Sequence, residues 1–466
     1  MNQIEHVVVV MLENRSLDTM LGWLYPTGSP PLHVLPASSS PQFDGLRPDM
    51  FNPRSGSTPA RHVAVTPNAS SFQVPDPDPQ ETFANVTYQL FRDGPVSPAN
   101  TPPMGFVDNY ATTKTTNPDQ IMQCYSPAQL PVLAELARAY AVSDAWFASV
   151  PSQTWPNRAF VHTGTSNGHV DNGTPPDPFA WDVPTIFNVL NSIGCSWGVY
   201  SNTILTPSLT RTMFPKLWDP MLSPHFRGFS AFLDACQTNS LPRYSFIEPS
   251  FLVDPNDQHP PHDVQAGEAF LYSIWNAVST SPGWNQTLLI ITYDEHGGCF
   301  DHVTPPFNAA PPDQARSPDG NGFDFTRFGV RVPAVVISPY IQAGTVFRSD
   351  SANAPYDHTS ILATLRDWIG IPAKDMLPSK RIANAPTLNQ LLTLSTPRVD
   401  LPAIQASTVT TFTQPAPSAA LNDLQKSLVT GSAKRFGLDP AATLQTVGTR
   451  QHAVDFFTRR ITHAHA

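Results

Sequence analysis

Two apolar runs of strand length, Val7–Leu12 and Thr287–Tyr293, stop abruptly at acidic and amide side chains: Glu13-Asn14 after the first, Asp294-Glu295 after the second. A strand without polar alternation suits burial on both faces, as in a parallel sheet covered by helices. In such sheets, ligands bind in the crevice beyond the carboxyl ends of the strands. The two runs therefore bring four hard oxygen donors to one sheet edge, the outline of a cation site. The expected fold is α/β, with a doubly wound, mostly parallel central sheet flanked by helices.

The rest of the chain fits that alternation. Arg15 to about Leu24 reads as a helix with Asn14 or Ser16 as N-cap. Residues 25–105 are dense in Pro, Ser, Gly and Asn and read as a loop-rich insertion near the site. Helical spacing returns at Leu130–Ala137, followed by a strand at Tyr140–Val142. Thr185–Ile193 reads as a helix and Ser196–Tyr200 as a strand, with a further strand at Tyr244–Ile247. Val264–Val278 is a helix leading into Thr287–Tyr293, Val332–Ser338 a strand and Ile361–Ile369 a helix. Residues 372–420 read as a connector and Leu421–Phe457 as helical. The expected organisation is a catalytic domain over 1–400 and a connector with a C-terminal helical segment over 401–466.

Charge and composition narrow the function. A net charge of −10 argues against a nucleic-acid partner, which would need a basic face. The charged fraction is 14%, against roughly 25% in typical soluble domains, and 51 prolines are about twice the usual share. Much of the surface is therefore uncharged loop. Cys124, Cys195, Cys236 and Cys299 share no metal-binding spacing; free thiols and one or two disulfides both remain open. No run reaches the ~18 apolar residues of a membrane span. The N-terminal apolar stretch is too short and too closely flanked by charge for a signal peptide, so the chain as written is expected to be soluble and unexported.

Three further segments carry candidate chemistry. In Asp294-Glu295-His296-Gly297-Gly298, adjacent carboxylates repel each other and the glycines allow a tight turn around a bound group; Asp301-His302 follows. In Val150–Arg158, Thr154 and Ser152 are candidate nucleophiles. They precede Asn157 and Arg158, and arginine is suited to bidentate phosphate recognition. A hydroxyl held by a cation loses its proton readily, while the absence of a G-x-S-x-G elbow weakens a serine-hydrolase reading. Asp254, His259 and His358 lie in ligand-rich stretches, the two histidines close to carboxylates. A carboxylate directly after a strand is as often a helix cap, and most single histidines are surface or core residues. The oxygen-rich donor set favours Ca²⁺, Mg²⁺, Mn²⁺ or Zn²⁺.

Together these segments resemble the phosphoesterase family that holds bacterial phospholipases C and acid phosphatases. The resemblance is carried by the E-N-R-S-x-D-x-x-x-G pattern within Ile4–Gly22, T-x-P-N-R at Thr154–Arg158, His259-Pro260-Pro261, T-Y-D-E-H-G-G-x-x-D-H-V-x-P-P at Thr292–Pro306, and Asp357–Ser360. It implies an alkaline-phosphatase-like core and a metal held by Glu13, Asn14, Thr154, Asp294 and Glu295. It also implies phosphate binding or proton donation by His259 and His358. The expected reaction is phosphoester hydrolysis through a covalent phospho-threonine at Thr154, with Arg158 offsetting charge on the transferring group. Many relatives carry His in a D-P-x-H motif; Asp76-Pro77-Asp78-Pro79-Gln80-Glu81 has none. Without accessory modules, and with only scattered large apolar residues in the insertion, the chain is expected to act on soluble phosphomonoesters in the manner of an acid phosphatase, or on small diesters, in preference to intact membranes. The alternatives are a phospholipase C cleaving phosphatidylcholine-type diesters, with the lipid headgroup as partner, and a phosphate-ligand binding protein without turnover.

Overall fold

The computed structural model of the protein describes residues 1–464 other than 27, 57–60, 99–102, 174–176, 204, 314–321, 352–353 and 406–410. Nine strands form the central sheet: β1 (His6–Leu12), β2 (His33–Leu35), β3 (Ala141–Ser143), β4 (Trp197–Ser201), β5 (Phe226–Gly228), β6 (Tyr244–Glu248), β7 (Thr287–Tyr293), β8 (Ala334–Ile337) and β9 (Thr345–Phe347). Their order is β5-β4-β6-β1-β7-β8-β3-β9-β2. Only β8 runs antiparallel to its neighbours; the other pairings are parallel. The α/β architecture and mostly parallel sheet expected from the apolar runs are present.

β1 lies at the centre. Every side chain from Val7 to Leu12 is fully buried, and each such aliphatic residue contributes about 1.5–3 kcal/mol relative to exposure. Its parallel register with β7 pairs Val7 with Leu288 and Leu12 with Tyr293. The first residues beyond the two strands, Glu13 and Asp294, are therefore neighbours. This pairing needs the tertiary register; the site edge itself is already legible in the two run-stops.

Around the sheet lie α1 (Leu17–Leu21), α2 (Phe83–Phe91), α3 (Pro131–Ala139), α4 (Thr154–Thr163), α5 (Ile186–Ser192), α6 (Val264–Ser279), α7 (Thr359–Ile369) and, in the C-terminal segment, α8 (Asp423–Arg435), α9 (Pro440–Thr446) and α10 (Arg450–Ala464). Ser16 caps α1, its hydroxyl accepting the Thr19 N–H. The 25–105 insertion is more ordered than its composition suggests: it supplies β2 at the sheet edge and α2, capped by Thr82. Leu424, Leu428 and Val429 of α8 join the same hydrophobic core as the sheet. All four cysteines are free thiols. Among the described residues, no helix is long and apolar enough to cross a membrane.

Behind α1, a buried ion network anchors the motif that follows β7. Arg331 donates from Nε to Asp301 Oδ1 and from Nη2 to Asp18 Oδ1, both at 2.9 Å, and from Nη1 to the carbonyls of Asp44 and Asp144. His302 Nδ1 lies 2.7 Å from Asp18 Oδ2, and its Nε2 3.2 Å from Asp44 Oδ1. Asp18, Asp301 and His302 converge closely enough to hold a metal ion. The Arg331 fork supplies positive charge to both carboxylates, while burial still holds Asp301 up at about 7. Burial works against a charge on His302, but Asp18 and the hydrogen bonds to Asp18 and Asp44 override it and raise the imidazole to about 9. A raised folded value means that this stabilisation is complete below the ordinary value of 6.5 and is lost as pH rises through about 9. The denaturant midpoint is expected to fall across that window, with the fall attenuated in His302→Gln. An identical pH profile in the variant would show that His302 carries none of it.

Candidate active site

Beyond the carboxyl ends of β1 and β7 the chain turns sharply twice, and each turn depends on an unusual backbone. Asn14 adopts a left-handed conformation (φ 52°) and Gly297 another (φ 61°). A Cβ on Gly297 would lie 2.2 Å from the Asn14 carbonyl oxygen. Glycine is thus required for the two turns to touch. Asp294 Oδ1 joins them by accepting from the backbone N–H of Asn14 (2.9 Å) and of Glu295 (2.8 Å).

Thr154 opens α4 directly against this edge. Its hydroxyl lies 3.4 Å from Glu13 Oε2 and 3.3 Å from Asn14 Oδ1. The preceding loop is held by Asn157, whose amide donates to the carbonyls of Val150, Ser152 and Gln153 and accepts the Val150 N–H. Asn157 therefore positions the loop. Ser152 turns away from the strand ends, its hydroxyl bonded to Asp171 at 2.8 Å. Of the two candidate hydroxyls, only Thr154 faces Glu13 and Asn14.

Arg158 lies one helical turn on and is fully buried. It donates from Nε to Glu13 Oε1 (2.9 Å), from Nη2 also to Glu13, and from Nη2 to the Met11 carbonyl (3.3 Å). Its guanidinium rests over the Phe251 ring. The sequence suggests a phosphate-binding arginine; the structure shows one whose fork holds Glu13, with only Nη1 unpartnered. Burial pushes Glu13 well above the ordinary carboxylate range; Arg158 pulls it back and Asp294 pushes it up again. One arginine does not neutralise both carboxylates.

The unpartnered atoms show where a further charge fits. Asp294 Oδ2, Glu295 Oε1 and Asn14 Nδ2 are buried without hydrogen-bond partners, a costly state unless a ligand satisfies the oxygens. Glu13 Oε2, Asn14 Oδ1, Thr154 Oγ1 and Asp294 Oδ2 are hard donors suited to a divalent cation. Glu295 is engaged through one oxygen only: its Oε2 accepts the Gly297 N–H (2.7 Å), while Oε1 is the unpartnered one.

The histidines divide. His358 Nε2 lies 2.6 Å from the Asp294 carbonyl and its Nδ1 3.4 Å from Trp146 Nε1. With one nitrogen donating and the other accepting, this neutral imidazole buttresses Asp294 and has no nitrogen left for a substrate. His259 keeps one. Its Nδ1 lies 2.7 Å from the Pro260 carbonyl, while the buried Nε2 has no partner. Burial brings His259 down to about 4. His296 is also neutral, lowered by burial to about 3, and its Nε2 meets Gln89 Oε1 of α2 at 2.8 Å; it ties the glycine turn to the insertion. Asp254 is exposed and lines a different hollow, with Asn202 and Asn256.

Sequence reasoning passed over two acidic residues. Asp257 is fully buried; its carbonyl accepts the Glu13 N–H (2.9 Å) and its Oδ1 pairs with His262 Nδ1 at 2.6 Å. Glu81 stands where the D-P-x-H register starting at Asp78 would place histidine. It is only 4% exposed, and its field is shared with Asp78, Glu295, Asp423 and Asp294. The signal for Glu81 was the register itself, read for the residue present as well as for the one missing. The C-terminal segment also reaches the site: Gln153 Nε2 donates to Asp423 Oδ2 (3.2 Å), and Gln425 Nε2 to the Phe251 carbonyl (2.9 Å).

Carboxylates at two adjacent strand ends, with a buried hydroxyl at a helix N-terminus between them, make a hydrolase site on an α/β sheet. The chain belongs to the Phosphoesterase family, whose model matches residues 4–372, and it is a phosphoester-hydrolysing enzyme. It is 34% identical to non-specific phospholipase C6 of Arabidopsis thaliana, over 91% of this chain and 79% of that one. It is 36% identical to non-specific phospholipase C3 of the same plant, over 86% and 75%. Phospholipase C B of Mycobacterium tuberculosis is 27% identical, over 92% and 86%. Among solved structures, a protein of the alkaline phosphatase superfamily from Vibrio parahaemolyticus aligns over 56% of this chain and 65% of its own, with 15% identity and a TM-score of 0.32.

Proposed function

We propose that the chain hydrolyses phospholipid-type phosphodiesters with Thr154 as nucleophile. The observation that carries the nucleophile is the Thr154 hydroxyl between Glu13 Oε2 and Asn14 Oδ1, with Ser152 committed to Asp171. The preference for diesters draws on the phospholipases C among its relatives at 34–36% identity. Thr154 Oγ attacks phosphorus, the bond to the leaving oxygen breaks, and the threonine proton ends on the departing alcohol. Water then cleaves the phospho-threonine and returns a proton to Thr154. His259 Nε2, the imidazole nitrogen without a partner, relays the proton in each step. α4 adds a helix N-terminus, which favours anionic charge at Thr154. Arg158 and Asn157 act as positioning residues, one on Glu13 and one on the nucleophile loop.

Glu13, Asn14, Asp294 and Thr154 would hold a divalent cation, which would lower the pKa of the hydroxyl and offset charge on the phosphoryl oxygens. Dialysis against a chelator is expected to abolish turnover, and Ca²⁺, Mg²⁺, Mn²⁺ or Zn²⁺ added singly to identify the ion that restores it. Full turnover from protein shown metal-free by elemental analysis would refute the cation's role. The substrate is tested by one preparation assayed on an aryl phosphate, an aryl phosphodiester and phosphatidylcholine. The diesters are expected to be cleaved faster. A faster monoester would return the chain to the acid-phosphatase reading, and turnover of none would favour a binding protein.

A further inference from the structure

Single exposed apolar residues are ordinary on a protein surface, but several here lie beside basic side chains or close to such a pair in the chain. Phe179 is 53% exposed and packs edge-on against half-buried Trp218, ring centroids 5.7 Å apart. Lys434 Nζ lies 5.4 Å over the Phe179 ring and pairs with Asp177 at 3.6 Å. Two residues along the chain from Lys434, Phe436 is 39% exposed and carries the Arg460 guanidinium over its ring at 5.8 Å. Met221, three residues from Trp218, is 80% exposed.

The charge of this region is opposite to that of the chain. Residues 421–460 hold six Lys and Arg against three Asp, a net of +3, within a chain of net −10. The bases are also crowded: burial and then Arg211 bring Arg435 down to about 10.

The band borders the outer end of a cleft of about 550 Å³ that leads to the nucleophile loop. Asp177, Ala180 and Trp181 line the cleft beside the band, while Gln153 and Thr82 line it beside Thr154 and Glu81. α8 runs along its wall. From Asp423, bonded to Gln153, to Lys434, over Phe179, is about 16 Å of helix at 1.5 Å per residue.

We propose that this aromatic and basic band docks the protein on an anionic phospholipid bilayer, setting the outer end of the cleft against the lipid surface. Aromatic rings and long basic side chains suit the interface because each has an apolar body and a polar tip. Apolar contact and attraction to anionic lipid act together in such binding. A net-negative protein meets such a surface favourably only through a locally basic region; residues 421–460, at net +3, are one, and reach the exposed rings through Lys434 and Arg460. The functional sense of the docking rests on the phospholipase reading above; the binding itself does not.

The test is co-sedimentation of the intact chain with vesicles of phosphatidylcholine alone and of phosphatidylcholine mixed with phosphatidylserine. Binding to the mixed vesicles is expected to be the tighter and to weaken as salt is added. The triple variant Phe179→Ala, Met221→Ala, Phe436→Ala is expected to bind at least about tenfold more weakly. The double variant Lys434→Glu, Arg460→Glu is expected to lose the preference for phosphatidylserine. All variants should retain turnover of a soluble aryl phosphodiester within about twofold, since surface substitutions rarely shift energies further. No sedimentation at either composition, equal binding to both, or unchanged binding by the triple variant would overturn the docking. Vesicle binding that follows this pattern in a protein without turnover on any soluble ester would support the docking while refuting the hydrolytic reading.

Discussion

Thr154→Ala is expected to lower turnover of a soluble aryl phosphodiester by at least about 10³-fold, equivalent to about 4 kcal/mol of transition-state stabilisation. The hydroxyl it removes is the one placed between Glu13 and Asn14 at the start of α4. Ser152→Ala removes a hydroxyl bonded to Asp171 and is expected to cost less than about tenfold, since the loop keeps its four Asn157 bonds. Rapid quench of labelled substrate in acid should trap phosphate on the wild-type chain, at Thr154 by peptide mapping. Retained activity in Thr154→Ala with loss in Ser152→Ala would transfer the nucleophile to Ser152. Retained activity in both would remove covalent catalysis by this loop.

Arg158→Leu is expected to destabilise the fold by about 3–5 kcal/mol, because it leaves a fully buried Glu13 without its partner. Glu13 lies beside Asp294 and is already pushed up by burial, so it would take up a proton at neutral pH or draw in a cation. Loss of activity should therefore accompany loss of stability. The measurement is the denaturant midpoint with and without the activating divalent ion, alongside turnover. Arg158→Lys keeps the charge but not the two-pronged contact, and should recover part of the stability and less of the activity. If Arg158→Leu unfolds at the wild-type midpoint, Glu13 does not depend on the arginine. A raised KM with unchanged kcat would instead favour direct substrate binding by the guanidinium.

Much of the fold was legible because β1 and β7 are buried on both faces and so contain almost nothing but apolar residues. The strand at Thr287–Tyr293 has the expected limits, and the helices at Pro131–Ala139 and Thr359–Ile369 fall where the apolar periodicity puts them. The insertion was harder to read. Its β2 is a three-residue strand whose place at the sheet edge comes from pairing with β9. Local sequence does not encode such a partner. Asp254 attracted attention by standing among ligand types, whereas the buried carboxylate of that loop is Asp257; three residues on an irregular turn reverse what faces inward.

By itself, then, the chain determined that a buried parallel sheet would end in Glu13, Asn14, Asp294 and Glu295, with Thr154 and Ser152 the candidate hydroxyls to match them. Run-stops, glycine pairs and motif order are local properties, and they survive translation into any arrangement of the elements. Only the tertiary structure decided how these groups divide the work. The β1–β7 register brought Glu13 beside Asp294. The packing of α4 turned Arg158 onto Glu13 and left the Thr154 hydroxyl at the strand ends. Both nitrogens of His358 were taken by Asp294 and Trp146, and α8 closed one wall of the cleft from residues 270 positions beyond Gln153. A side chain's chemistry depends on which of its hydrogen-bonding atoms remain unpartnered after folding, and that is fixed by neighbours distant in sequence.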